Sequence, residues 1–278
     1  MNFVKRAITG IVFVAIVTAC LLAGELWAMA LCSVATALST AEFVRIVNAG
    51  KGIRANVPLA VLTAVLSNLA VCSLCGVTEN LFAGKVMAAM ALLSVILILI
   101  CEIFGEKESP ALNIAVALMP IIYIALPFSL IPILGITNGI YSGILPLMLF
   151  IFIWCNDVGA YCVGCTLGRH RLFPRISPKK SWEGSIGGAV LTIAAAVAAP
   201  LAMPGIFVFL PLSVWVATAL VTVVAGTFGD LTESLLKREL GIKDSGNALP
   251  GHGGFLDRFD STLMAVPAVT VLLLLIAL

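Results

Sequence analysis

Five acidic residues stand where an apolar chain should not hold them. Asp157, Asp230, Glu233, Asp257 and Asp260 lie within or at the ends of apolar segments, where an ionised carboxylate costs several kcal/mol unless it is paired or binds something. Asp230, Glu233, Ser234 and Lys237 are spaced i, i+3, i+4 and i+7, so one helical stripe carries all four. An internal Glu233–Lys237 ion pair is one reading of that stripe, but Asp230 has no such partner in register below it. Asp257 and Asp260 sit at i,i+3 and, with Asp230, supply oxygens of the kind a hard cation takes. Magnesium fits best, because it uses a couple of carboxylates and leaves positions open for substrate phosphate.

Between these acids runs a turn from Gly241 to Gly254 that ends Pro250-Gly251-His252-Gly253-Gly254. Gly-rich backbone before a helix N-terminus offers N–H groups and a positive dipole end to an anion. A Gly-rich turn alone says little. Flanked by candidate metal ligands, with Lys237, Arg238, Lys243 and Arg258 nearby, it points to phosphate and metal together. Upstream lie Asn156-Asp157, Tyr161 one turn later, and the loop Ser177-Pro178-Lys179-Lys180-Ser181-Trp182-Glu183-Gly184. That loop reads as a basic clamp for an anionic substrate at a membrane surface, or as an anchor to anionic lipids. Cys72/Cys75 and Cys162/Cys165 have CxxC spacing, but the chain has two His in all, and the pairs fall on apolar helices. They read as packing.

The elements that carry these residues follow from composition. Of 278 residues, 61% are hydrophobic and 11% charged, against roughly half and a quarter in soluble domains. A soluble enzyme, a disordered chain, a disulfide-stapled module and a fibrous repeat are excluded; lipid must be part of the solvent. Net charge is +2, which does not suggest a nucleic-acid partner. Largely uncharged runs give spans over 7–24, 26–47 (which carries Glu42 and Arg45 near its end), 55–78 and 82–104. Two more lie in 109–156 with a turn near Thr137-Asn138-Gly139, two in 184–229 with a break around Pro200–Pro211, and one begins near Phe255. The expectation is an all-α polytopic membrane protein of about nine transmembrane helices. Placing the N-terminus in the cytoplasm puts every Lys and Arg except Lys85 on the inside. Residues 1–135 then form a helical scaffold. Residues 136–278 form a catalytic region with cytoplasmic loops 166–185 and 238–255, the polar pocket facing the cytoplasm of a bacterial inner membrane.

From Ser234 to Asp260 the chain reads SLLKRELGIKDSGNALPGHGGFLDRFD. This resembles the signature of the phosphatidate cytidylyltransferases, or CDP-diacylglycerol synthases. Ser234, Lys237, Arg238, Lys243, Asp244, Gly246, His252, Gly253, Gly254, Asp257, Arg258 and Asp260 fill its fixed positions. Asn156-Asp157, Tyr161, the SPKKSWEG loop and Gly229-Asp230 are similar to further family features. The resemblance is dense over 150–260 and loose over the first half.

The resemblance implies that CTP and phosphatidate give CDP-diacylglycerol and pyrophosphate with a divalent metal, in a homodimer. The residue types agree. A phosphate monoester, with a second pKa of about 6, is already an ionised nucleophile, and the chain shows no Ser-His or Cys-His dyad. What is needed is neutralisation of two polyanions and in-line positioning. Asp230, Asp257 and Asp260 are the expected magnesium ligands. A second, monovalent cation such as K+ draws on Ser234 by resemblance. Lys237, Lys243 and Asp244 are assigned to catalysis. Arg238, Arg258, His252, Gly253, Gly254, Lys179, Lys180 and Ser181 would bind substrate phosphates, with Asn156, Asp157 and Tyr161 as cavity wall. An ion-coupled transporter and a CTP-using lipid kinase are the competing readings.

Overall fold

The computed structural model describes residues 3–50, 52–137, 139–246 and 253–277. Helices α1 (Phe3–Leu22), α2 (Glu25–Asn48), α3 (Val57–Leu74) and α4 (Leu81–Phe104) come first. Then follow α5 (Pro110–Pro120), a π-turn over Ile121–Ala125 and α6 (Leu126–Leu134), which together make one apolar span. The later helices are α7 (Ile144–Leu167), α8 (Trp182–Ala202), the short α9 (Pro204–Phe207), α10 (Leu212–Glu239) and α11 (Asp260–Ala277). Two short hairpins interrupt them: β1 (Ile136–Thr137) with β2 (Ile140–Tyr141), and β3 (Arg171–Phe173) with β4 (Ser177–Ser181).

The boundaries have local causes. Asn56 caps α3 by accepting the Leu59 N–H at 3.1 Å, and Asn80 caps α4 through Ala83 at 2.9 Å. Ser181 caps α8 through the Gly184 N–H at 3.1 Å. The turn expected near Thr137–Gly139 is the β1–β2 hairpin, with Gly139 at φ 77°, a conformation a side chain would strain. The break expected around Pro200–Pro211 is α9 and its flanks.

Among the described residues, seven helices are long and apolar enough to cross a membrane: α2, α3, α4, the α5–α6 span, α7, α8 and α10. Two shorter apolar segments, Ile8–Leu22 and Asp260–Ile276, occupy the first and last expected spans. Large side chains such as Phe82, Ile103, Phe104 and Ile122 are at least 73% exposed, a density of uncovered apolar surface that water would not support. The chain is a predominantly helical, polytopic membrane protein.

Two compact units emerge. The first takes Met1–Gly143 and Glu239–Phe259; the second takes Ile144–Arg238 and Asp260–Leu278. In the first unit, small polar side chains join helices across apolar faces. The Thr63 and Ser94 hydroxyls bond at 2.8 Å, and Asn68 spans from Ser33 to the Ala125 carbonyl. Buried Glu102 is closed by Lys107 and by the Asn113 amide at 2.9 Å. Phe259 stacks edge-on against Phe128 and Phe13, with centroids 5.1 and 5.5 Å away.

In the second unit α7 and α8 meet through glycines. A Cβ on Gly159 would lie 2.9 Å from the Gly187 carbonyl oxygen and the Gly188 Cα. The Thr192 hydroxyl extends this contact to the Phe152 carbonyl at 3.3 Å. Helices approach this closely only where side chains are absent.

One element departs from expectation. The last span was expected to begin near Phe255, with Asp257 and Asp260 both in its opening turn. Instead Leu256–Arg258 is a 3-10 turn, and α11 starts at Asp260. The Asp257 carboxylate is engaged by backbone N–H groups of its own unit, described below.

Candidate active site

A cleft of about 290 Å3 opens in the second unit between α7, the β4 strand, α8 and α10. Its wall carries Asn156, Asp157, Tyr161 and Gly164 from α7, Lys179, Lys180 and Ser181 from β4, and Thr227 and Asp230 from α10. Sequence reading supplied most of these residues; Thr227, Ala160, Gly164 and Ser185 are additions. They were illegible because a small or hydroxyl side chain in an apolar helix is normally only packing.

The centre of the cleft is an ion pair. Lys180 Nζ stands 2.7 Å from Asp230 Oδ2, and the Ser234 hydroxyl donates to Asp230 Oδ1 at 3.1 Å. Lys180 and Asp230 are 25% and 33% exposed, so the pair is open to solvent-borne ligands. The loop that delivers Lys180 is braced from two sides. The Arg238 guanidinium donates to the Ile176 carbonyl at 3.3 Å. At the hairpin base, Glu183 accepts the N–H groups of Arg169 and His170 and contacts the His170 imidazole. Asp260 lies within electrostatic reach of both Asp230 and Asp157, and interacts with Glu233. Several acids thus lie within reach of Asp260 in one unit, Asp230 among them paired with Lys180.

Glu233 is 1% exposed and pairs with Lys237 at 3.1 Å, i,i+4 on α10. The internal ion pair weighed for these residues therefore exists. It gives Lys237 a structural partner besides any role toward substrate.

The remaining signature residues belong to the first unit. Asp257 Oδ2 accepts the N–H of Ser245 at 3.0 Å and of Gly254 at 2.8 Å. The Gly254 N–H, expected to face a phosphate, is thus given to Asp257, because the carboxylate lies three residues away in the tight turn. Gly253 has φ 85°, which glycine alone adopts without strain. Lys243, Asp244 and Arg258 are exposed. His252 lies outside the described residues.

Sequence reasoning missed Glu42. This residue of α2 is buried, and its Oε2 accepts the Leu256 N–H at 2.8 Å and the Ser245 hydroxyl at 3.3 Å. The signal was available: an acid inside the span 26–47 meets the same desolvation cost that drew attention to Asp230.

Among the described residues no three His, Cys, Asp or Glu side chains form a ready cage for a metal. Asp230 and Asp260, on α10 and α11, are carboxylates whose oxygens a hard cation could use. They are hard oxygen donors close enough to repel one another.

Comparisons with known proteins agree in one direction. A phosphatidate cytidylyltransferase of Staphylococcus epidermidis is 46% identical over 131 residues, which is 46% of this chain and 48% of that protein. The proteins of the same name from Staphylococcus saprophyticus and Staphylococcus aureus are 42% and 44% identical over 130 and 127 residues. The chain thus spans about half the length of the curated relatives it matches. The family description reaches much further, matching residues 4–276, and on that extent the chain belongs to the cytidylyltransferase family.

Proposed function

We propose that the protein transfers the cytidylyl group of CTP to phosphatidate, forming CDP-diacylglycerol and releasing pyrophosphate for phospholipid synthesis. The observation that carries this reading is the Lys180–Asp230 pair in an open polar cleft, with Lys179, Asp157 and Tyr161 on its wall. A cation and an anion held at 2.7 Å but still solvent-accessible can each be exchanged for a substrate partner: Lys180 for a phosphate, Asp230 for a metal.

The step itself is in-line. An oxygen of the lipid phosphate monoester forms a bond to the α-phosphorus of CTP as the bond to the bridging oxygen breaks, and pyrophosphate leaves with that electron pair. The nucleophile is already ionised, so no side chain need take its proton. Lys179, Lys180, Lys237 and Arg238 neutralise the approaching polyanions, which is the main demand of phosphoryl chemistry. Ser181, Ser234 and Asn156 orient phosphate and nucleotide by hydrogen bonds, with Tyr161 closing the wall. Magnesium, held by Asp230 and Asp260, would supply further neutralisation of the phosphates. A K+ ion near Ser234 belongs to the same proposal.

The site is assigned to the cytoplasmic face of a bacterial inner membrane, where the basic loops would lie. Purified protein given labelled CTP, phosphatidate and magnesium should yield CDP-lipid and pyrophosphate in equal amounts. Formation of CDP with a phosphorylated lipid would make it a kinase instead. No nucleotide chemistry, with ion-driven uptake into vesicles, would make it a transporter. Its mass in detergent micelles tests the homodimer.

A further inference from the structure

Glu42 is an acid in the apolar helix α2, more than two hundred residues away in sequence from the segment it touches. It is 9% exposed. A buried carboxylate is costly to keep, and packing alone would be served as well by an apolar side chain. Its partners show what it holds. Oε2 accepts the Leu256 N–H at 2.8 Å and the Ser245 hydroxyl at 3.3 Å. Asp257 takes the backbone N–H of the same Ser245, as well as that of Gly254. Ser245 is therefore shared by two carboxylates, and Leu256 directly precedes Asp257.

The glycines nearby make room for this arrangement. A Cβ on Gly246 would stand 2.7 Å from Glu42 Oε1, and one on Gly254 would stand 2.7 Å from Glu42 Oε2. Real Cβ atoms are not found so close. Two glycines of the signature thus have a local explanation: Glu42 occupies the space a Gly246 side chain would need, and the Ser245 hydroxyl together with Glu42 occupies that of Gly254.

We propose that Glu42 is a positioning residue for the nucleotidyl transfer. Through Ser245 and Leu256 it fixes the two ends of the signature turn, and so the carboxylate of Asp257 and the neighbouring Lys243, Asp244 and Arg258. This inference rests on the reaction proposed above. Charge-assisted bonds to a backbone N–H and a hydroxyl give a stiffer anchor than neutral ones, and small displacements of reacting groups are expensive in rate.

The test uses the full chain in lipid nanodiscs, with Glu42→Ala, Glu42→Gln, Gly246→Ala and the Glu42→Ala/Gly246→Ala double variant. Glu42→Ala should lower kcat for CDP-lipid formation roughly 50-fold and leave KM for CTP within about threefold, the pattern of lost transition-state alignment. Glu42→Gln, which keeps an acceptor for Leu256, should recover about tenfold of that loss. Without substrate, hydrogen exchange of 243–258 should quicken in Glu42→Ala while that of α3 and α4 stays as in the parent. Gly246→Ala alone should be impaired, yet add little to Glu42→Ala, because the clash is gone.

Turnover within about threefold of the parent in Glu42→Ala would overturn the inference. So would a loss matched by quickened exchange throughout the first unit, or independent multiplying effects in the double variant. If the parent itself makes no CDP-lipid, the proposed reaction fails. The exchange experiment would then still judge whether Glu42 holds the turn.

Discussion

Asp230 and Glu42 are both acids set in apolar helices, yet their charges are met by different means. Asp230 faces the ammonium of Lys180 and the hydroxyl of Ser234, and is 33% exposed. Glu42 is 9% exposed and is met by a main-chain N–H and a serine hydroxyl. A lysine at the end of a flexible stem can swing away when another cation or a phosphate arrives. A backbone N–H cannot leave without moving the chain. The same carboxylate chemistry is therefore met by a movable, part-exposed partner in the second unit and by the main chain and a buried hydroxyl in the first. Asp257 lies between these types: its carboxylate secures Ser245 and Gly254 while remaining half-buried.

The comparison breaks most visibly at Asp230. Asp230→Asn keeps shape and the Ser234 contact but removes the charge that pairs with Lys180. CDP-lipid formation should fall by about a thousandfold, a transition-state loss near 4 kcal/mol. The melting temperature should hardly move, since the pair is partly exposed and such pairs contribute roughly 0–1 kcal/mol. A large fall in melting temperature with little loss of turnover would make Asp230 part of the frame.

Next in size is Lys237. Its partner Glu233 is 1% exposed, so Lys237→Met strands a carboxylate in an apolar setting. Breaking a buried pair from one side costs about 3–5 kcal/mol, visible as a clear drop in thermal melting in detergent. Glu233→Gln/Lys237→Met, which removes both charges, should restore much of that stability. Its residual turnover then measures how far Lys237 also serves the substrate. Recovery of both stability and full turnover would confine Lys237 to the frame.

A smaller effect is expected at the α7–α8 contact. A Cβ on Gly188 would lie 2.7 Å from the Asn156 carbonyl oxygen. Gly188→Ala must therefore shift α7, with an overpacking cost of about 1–3 kcal/mol. Because Asn156 is on the cleft wall, turnover should fall several-fold along with melting temperature. Unchanged melting and turnover would show that the two helices slide freely.

Much of this architecture is legible in the sequence because lipid imposes a simple rule: about twenty apolar residues per span. The breaks at Thr137–Gly139 and Pro200–Pro211 were equally readable, since Gly and Pro punctuate locally. The stripe of Asp230, Ser234 and Lys237 was readable for the same reason: helical periodicity is local. What spacing does not encode is pairing at a distance. Lys180 meets Asp230 across fifty positions, and Glu42 meets Ser245 and Leu256 across more than two hundred. The division of Asp257 and Asp260 between two units was likewise hidden, because i,i+3 spacing reads as one helix.

The smallest effect expected is at the cysteines, and it bears on whether acids alone do the polar work. Cys162 and Cys165 have CxxC spacing on α7, next to the cleft residues Tyr161 and Gly164. Both are free thiols and exposed. Redox or zinc chemistry would require a disulfide, or further soft ligands that no group among the described residues provides. Exposed side chains on a helix that crosses lipid are easily replaced by small apolar ones. Cys162→Ala/Cys165→Ala should therefore leave CDP-lipid formation within about twofold of the parent, with and without reductant. Cys72 is the internal contrast: its buried Sγ lies 3.6 Å from the Ser129 carbonyl, so Cys72→Ala should lower the melting temperature by a few degrees at unchanged turnover. A tenfold loss of turnover in the Cys162/Cys165 variant would instead place a thiol in the reaction beside Asp230.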